Sequence, residues 1–265
     1  MTGFSAAWLA LREPADRAAR NADVAAAAAA HLDALPLARI VDLGSGAGSN
    51  FRAFAASIAT RQAWTLVDHD AALIEAARAA MGTAGGTSGR AVATFRQADL
   101  ARDIDGVLAA PADLVTAAAF FDLVSADWIE GFCAALARRR LPLYAVLTYD
   151  GEEEWRPVHA RDAEMLAAFH AHQASDKGFG PAAGPAAHRH LCEQLGRHGY
   201  RLRGGPSPWR LDATQRALMA ELAAGIARAA VATGTVDAME AEAWRQARAA
   251  ATSALIGHRD VFAWL

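Results

Sequence analysis

The chain has 265 residues, of which 54% are hydrophobic and 21% charged, with a formal net charge of −3. That is enough for one α/β domain with its own core, and it excludes a disordered or fibrous chain. There is no basic field to hold a nucleic-acid backbone, no apolar run long enough to span a bilayer, and no charged-then-apolar leader at the N-terminus, so a cytoplasmic protein without nucleic-acid or membrane partners is expected. Residues 5–35 read as helix, with Pro14 the candidate break and the run Ala25–Ala30 as simple helix former. A strand at 38–42 precedes a helix over 50–60. A second strand, Trp64–Val67, ends at Asp68, and a helix follows over 71–81. The stretch Gly82–Gly89 reads as a flexible loop. Further strands are expected at 91–96, 113–117 and 143–148, with a helix at 123–139 closed by Arg138, Arg139 and Arg140, cations that suit a helix C-terminus.

After residue 150 the alternation changes. An acidic turn, a helix near 161–173, a Gly/Pro loop over 175–184 and a helix at 185–198 lead to a strand starting at Tyr200. Helices at 213–231 and 237–251 precede a last strand at 254–264. Short apolar strands alternating with helices imply a parallel sheet covered on both faces. The expected organisation is a single domain: a helical segment at 1–37, a ligand-binding core at 38–150, and cap insertions with the last strands at 151–265.

The most informative segment is Arg39–Asn50, where a strand ends in Asp42 and a turn carries Gly44, Gly46 and Gly48 before a helix opens. Glycines there let the backbone bend tightly and approach a ligand. The spacing is G-x-G-x-G rather than the dinucleotide G-x-G-x-x-G, and Ser49 stands where the third glycine would be. Asp42 would repel a pyrophosphate but can receive a positive amino group; its alternative role is a turn cap. Asp68 lies 20 residues beyond Gly48, the spacing of a ribose-binding acid, and a carboxylate can accept from both ribose hydroxyls. Asp70 suits the N-cap of the next helix.

These features resemble motif I and the following motifs of the class I S-adenosylmethionine (SAM)-dependent methyltransferases, over roughly residues 38–150. The resemblance implies a Rossmann-like, doubly wound, mostly parallel sheet with helices on both faces, C-terminal helical insertions, and an antiparallel last strand between strands five and six, for which Leu255–Trp264 is the candidate. It implies SAM as cofactor and S-adenosyl-L-homocysteine as product, held by Asp42, Gly44, Ser45, Gly46 and Gly48. Asp68 with His69 would meet the ribose, Asp99 with Leu100 the adenine, and Ala117 would line the site from strand 4. Arg12, Arg17 or Arg20 can pair with the cofactor carboxylate or lie on a solvated helix face.

The acceptor is less legible. Thr116–Phe121 lacks the Asn/Asp-Pro-Pro-aromatic motif of amino-methylating nucleic-acid enzymes, and no Pro-Cys nucleophile appears. A small-molecule acceptor, methylated at oxygen with nitrogen and carbon open, is therefore expected; a general base is needed only if the acceptor is protonated. Pocket candidates are Phe120, Tyr149, Asp150, His172 and Lys177, the chain's one lysine, which can bind an acidic group or lie exposed. Trp128, Trp155, Trp209, Trp244 and Trp264 supply substrate walls or core. His170 and His172, like His188 and His190, are two apart on helices and face different ways, and no H-E-x-x-H occurs, so no metal is expected. Cys133 and Cys192 read as buried, inert thiols. The rival functions are a SAM-binding regulatory protein without turnover and a nicotinamide-dependent oxidoreductase. Monomer and homodimer remain open.

Overall fold

Short apolar runs closed by an acidic residue form the centre of the molecule, in a computed structural model that describes residues 4–83 and 89–265. Residues 84–88 of the expected Gly/Thr/Ser-rich loop lie outside the described residues. β1 (Leu37–Leu43), β2 (Arg61–Asp68), β3 (Ala91–Gln97), β4 (Leu114–Ala118) and β5 (Leu143–Arg156) are parallel neighbours in the order β3-β2-β1-β4-β5. β4 is buried along nearly its whole length, as a strand covered by helices on both faces must be. The sheet continues through β8 (Ser253–Trp264), antiparallel to β5, to β6 (Arg201–Pro206); β7 (Trp209–Leu211) also pairs with β8. The last strand therefore lies antiparallel between β5 and β6, as the resemblance implied.

Helices α1 (Ala6–Ala19) and α2 (Ala22–Asp33) precede β1, α3 (Ser49–Phe54) and α4 (Ala71–Thr83) follow β1 and β2, and α5 (Ile104–Leu108) and α6 (Ala126–Arg139) flank β4. One face packs Val24, Leu32, Phe51, Phe54 and Trp64 against Ile40, Tyr144 and Phe262. The other packs Phe132, Leu136 and Leu191 against Val41, Val115 and Ala145, with Leu191 from α8 (Ala187–Arg197). A third core joins α7 (Asp162–Gln173), α9 (Arg216–Ala232) and α10 (Ala238–Ala249) through Trp155, Trp209, Met219 and Trp244.

Several boundaries differ from the sequence reading. The N-terminal helix breaks at Arg20–Asn21, not at Pro14, which lies inside α1. Asn21 caps α2 by accepting from the Val24 N–H, and its own N–H donates to Asp260 Oδ2 at 2.9 Å, which fixes the break. α3 ends at Phe54, where the chain tightens into a short 3₁₀ turn. The acidic stretch after Asp150 is strand rather than turn: Glu153–Arg156 pair with Ser253–Ile256 of β8, burying Trp155 while Glu154 faces solvent. α5 and β7 were not anticipated. Among the described residues, no helix is long and apolar enough to cross a membrane.

Candidate cofactor and acceptor site

Strand order reverses between β1 and β4, and in an open α/β sheet the crevice beyond the strand ends at such a point is where ligands bind. The glycine turn sits there. Gly44, Gly46 and Gly48 have φ of +61°, +52° and +81°, values that L side chains rarely adopt. The turn is tied by Ser45 N–H to Val67 O (3.0 Å) and Gly48 N–H to Ser45 O (2.8 Å). A Cβ on Gly44 would come within 2.7 Å of Phe120 Cδ2, and one on Gly46 within 3.0 Å of Leu9, so β4's exit and α1 both close on the turn.

Asp42 is fully buried at the end of β1. Its Oδ1 accepts from Asn50 Nδ2 at 2.6 Å, while Oδ2 has no partner, and neither has the buried Ser45 Oγ. Burial pushes the Asp42 carboxyl up to about 7, against the Asn50 amide and the Arg20 charge. Arg20 donates to Asn50 Oδ1 at 2.8 Å, whereas Arg12 pairs with Asp16 and Arg17 with Glu13. Asp68 ends β2, buried, and its oxygens accept from Gly46 N–H (2.8 Å) and Asp70 N–H (2.9 Å), so it braces the glycine turn directly; His69 beside it is exposed. Asp70 accepts from the Ala72 and Leu73 N–H groups at the start of α4. Asp99 is exposed and accepts from the Ala101 N–H in a local turn, with Arg102 nearby; Leu100 is buried and its carbonyl accepts from Trp128 Nε1 at 3.1 Å. Ala117, buried in β4, pairs in register with Leu43.

On the acceptor side, Phe120 meets Trp128 and Phe179 edge to face at 5.5 and 5.8 Å. Tyr149 is buried; its hydroxyl donates to Glu153 Oε1 at 3.0 Å and lies 2.9 Å from His170 Nε2. Burial pushes Glu153 up to about 7 and lowers His170. His170, not His172, thus reaches Tyr149. Asp150 turns toward β8, accepting from Arg259 Nε at 3.0 Å, an approach that Gly257 permits because it has no Cβ. Lys177 donates to His172 O (3.2 Å) and Ser175 Oγ (2.7 Å) at the end of α7. Trp155, Trp209 and Trp244 lie in the cap core, and Trp264 stacks on Phe262. Cys133 is buried and Cys192 half-buried, and burial pushes their thiols up to about 12 and 11.

Asp122, Glu153 and Gln173 were missed in the sequence, and His170 was weighed there only as a metal ligand. Asp122 follows two phenylalanines and reads as loop; a carboxylate held inside the apolar run Phe120–Val124 was the available signal.

No family model and no curated protein matches the chain. Solved structures do. The YcgJ protein of Bacillus subtilis aligns with 92% of this chain and 98% of its own at 12% identity and a TM-score of 0.53. The cyclopropane synthase MmaA2 of Mycobacterium tuberculosis aligns with 98% of this chain and 94% of its own at 13% identity and a TM-score of 0.53. The chain has the class I SAM-dependent methyltransferase fold. At these identities the likeness is one of fold, and function has to be argued from the site.

Proposed function

We propose that the protein is a SAM-dependent methyltransferase acting on a small molecule, with oxygen the preferred acceptor atom. The observation that carries this reading is the strand-ending Asp42, the three left-handed glycines and Asp68 assembled at one strand-order reversal. The residues fit the cofactor chemically: Asp42 Oδ2 and Ser45 Oγ are buried polar atoms without partners at the turn, and burying such atoms unpaired costs about 1–3 kcal/mol each. Asp42 would receive the cofactor's amino group, Asp68 and His69 would lie at the ribose, and Asp99, Leu100 and Ala117 would line the adenine and the site's floor. SAM supplies an activated methyl group on a sulfonium centre, so the protein's tasks are to orient the acceptor and exclude water. Phe120 and the cap residues of α7 would do both. The antiparallel β8 between β5 and β6 argues against the dinucleotide-binding alternative, whose sheet order runs β3-β2-β1-β4-β5-β6 in parallel.

A second reading, a SAM-binding protein without turnover, is favoured by one observation: the Phe120 ring lies against Gly44, where cofactor and acceptor would meet. Calorimetric titration with SAM, S-adenosyl-L-homocysteine and NADPH tests the cofactor. Binding of the two adenosyl-sulfur ligands alone is expected, and binding of NADPH alone would refute the proposal. Methyl transfer to any of a panel of phenols, alcohols and amines then separates enzyme from binder.

A further inference from the structure

Two buried side chains that hydrogen-bond to each other, Asp122 and Gln173, each keep one oxygen without a hydrogen-bond partner where the turn after β4 meets the end of α7. Asp122, in the turn after β4, is buried; its Oδ2 accepts from Gln173 Nε2 at 3.2 Å and the backbone N–H groups of Asp122 and Tyr149 lie near the carboxylate, while its Oδ1 has no partner at hydrogen-bond geometry. Gln173, the last residue of α7, is equally buried, and its Oε1 is also unpartnered. Gly184 brings the chain within van der Waals reach of that oxygen, since a Cβ there would sit 3.4 Å from it. A buried carboxylate oxygen and a buried amide oxygen, neither with a partner at hydrogen-bond geometry, are complementary to a group that donates.

The surrounding charges give the same sign. Arg12 is committed to Asp16 through two bonds of 2.9 and 3.1 Å and lies over Trp209. Lys177, for which binding an acidic group was one of the two readings, donates to His172 O and Ser175 Oγ. His170 on α7 and His258 on β8 are both held toward the neutral form by burial, and Tyr149 is directed at Glu153. The Arg12 charge reaches Asp122 and offsets part of the cost of its burial, but its guanidinium is held by Asp16, so among the described residues no cation hydrogen-bonds Asp122 and an anionic head gains no direct partner there. Phe120, which touches the glycine turn, stands two residues before Asp122.

We infer that Asp122 and Gln173 form the recognition point for the acceptor, and that the acceptor carries a hydrogen-bond-donating head, an ammonium or a hydroxyl, on an apolar or aromatic body. This assignment rests on the methyltransferase reading for the word acceptor; the ligand chemistry rests on the two orphan oxygens alone.

The test uses the full chain saturated with S-adenosyl-L-homocysteine and three probes of one shape: benzylamine, benzyl alcohol and benzoate, titrated by calorimetry and ligand-observed NMR. Benzylamine or benzyl alcohol should bind at least tenfold more tightly than benzoate, and which of the two binds better identifies the head. Asp122→Asn should weaken the preferred probe at least tenfold and narrow the gap to benzoate, with S-adenosyl-L-homocysteine affinity and the thermal midpoint unchanged. Gln173→Leu should weaken the same probe with the carboxylate intact. Equal binding of benzoate, no binding of any probe, or unaltered probe binding in both variants would overturn the assignment. If wild type fails to bind S-adenosyl-L-homocysteine, the methyltransferase reading falls, and the same three titrations on the free protein still decide the donor preference.

Discussion

Gly44→Ala should be the most damaging single methyl in the glycine turn, and the structure gives two separable reasons. At φ +61° an alanine backbone pays the left-handed cost, about 1–2 kcal/mol. Its Cβ would also sit 2.7 Å from Phe120 Cδ2 and 3.3 Å from Cε2, closer than carbon atoms pack. Phe120 has little room to yield, because it is buried with Phe121, Trp128 and Phe179 at centroid distances of 5.5–5.8 Å. Overpacking of this kind costs about 1–3 kcal/mol. The sum, about 2–5 kcal/mol, is a large part of the roughly 5–15 kcal/mol that holds a domain folded. The assay is urea denaturation of wild type, Gly44→Ala, Phe120→Leu and the double variant. Leucine at 120 should relieve the clash but not the backbone cost, giving a coupling energy of about 1–3 kcal/mol between the two sites. A Gly44→Ala loss below about 1 kcal/mol, or strict additivity with Phe120→Leu, would refute the packing argument.

Asp68→Ala should lower S-adenosyl-L-homocysteine affinity at least tenfold and also cost about 1–3 kcal/mol of stability, since the Gly46 and Asp70 N–H groups lose their acceptor; calorimetry and urea denaturation read the two effects separately. Asp42 has its folded pKa raised from 3.8 to about 7, so between those values the folded state holds a proton that the unfolded state has released. Its contribution is therefore full below pH 4 and declines as pH rises to 7, by up to about 1.4 kcal/mol per pH unit. Asp42→Asn should flatten the stability profile across that window relative to wild type, measured by urea denaturation at several pH values. Lys177→Ala should leave cofactor and probe binding unchanged and cost about 0.3–1 kcal/mol, because the ammonium serves the His172 carbonyl in the last turn of α7.

What the sequence made legible is what depends on neighbours along the chain. The β1–turn–α3 unit, the acidic ends of β1 and β2, and the apolar Leu255–Trp264 strand all carry their signals within about a dozen residues. What it concealed depends on convergence from far apart. Glu152–Glu154 read as a turn because three carboxylates in a row suit solvent; only pairing with β8, about a hundred residues away, makes the segment a strand and brings Glu153 to Tyr149. Asp122 and Gln173 meet across 51 residues, and neither belongs to a spacing pattern that a single sequence displays. Lys177 drew notice for its rarity, yet its partners are two and five residues away.

Among the described residues, two of the three non-glycine residues with positive φ lie where β4 ends and its pairing with β5 stops. Ala119 has φ +50° and Leu147 φ +55°, in a region where non-glycine residues are uncommon. Leu147 is held there by Asp260, whose Oδ1 accepts from the Leu147 N–H at 2.8 Å and from Ser207 Oγ at 2.5 Å, while its Oδ2 accepts from Asn21. The register between β5 and β8 shifts between Ala145 and Thr148, and Val146 and Leu147 both pack into the core against α2 and α3. Alternation therefore slips by one residue at Leu147, and such a slip reverses the face taken by the side chains beyond it. Tyr149 is thereby delivered to the cap core instead of the sheet core. A buried aspartate tying α2, β5 and the β6–β7 connection is an expensive way to hold a strand together, since its carboxyl is raised by burial. It is an effective way to fix one bulge, and beyond that bulge the Tyr149 hydroxyl reaches Glu153 and His170.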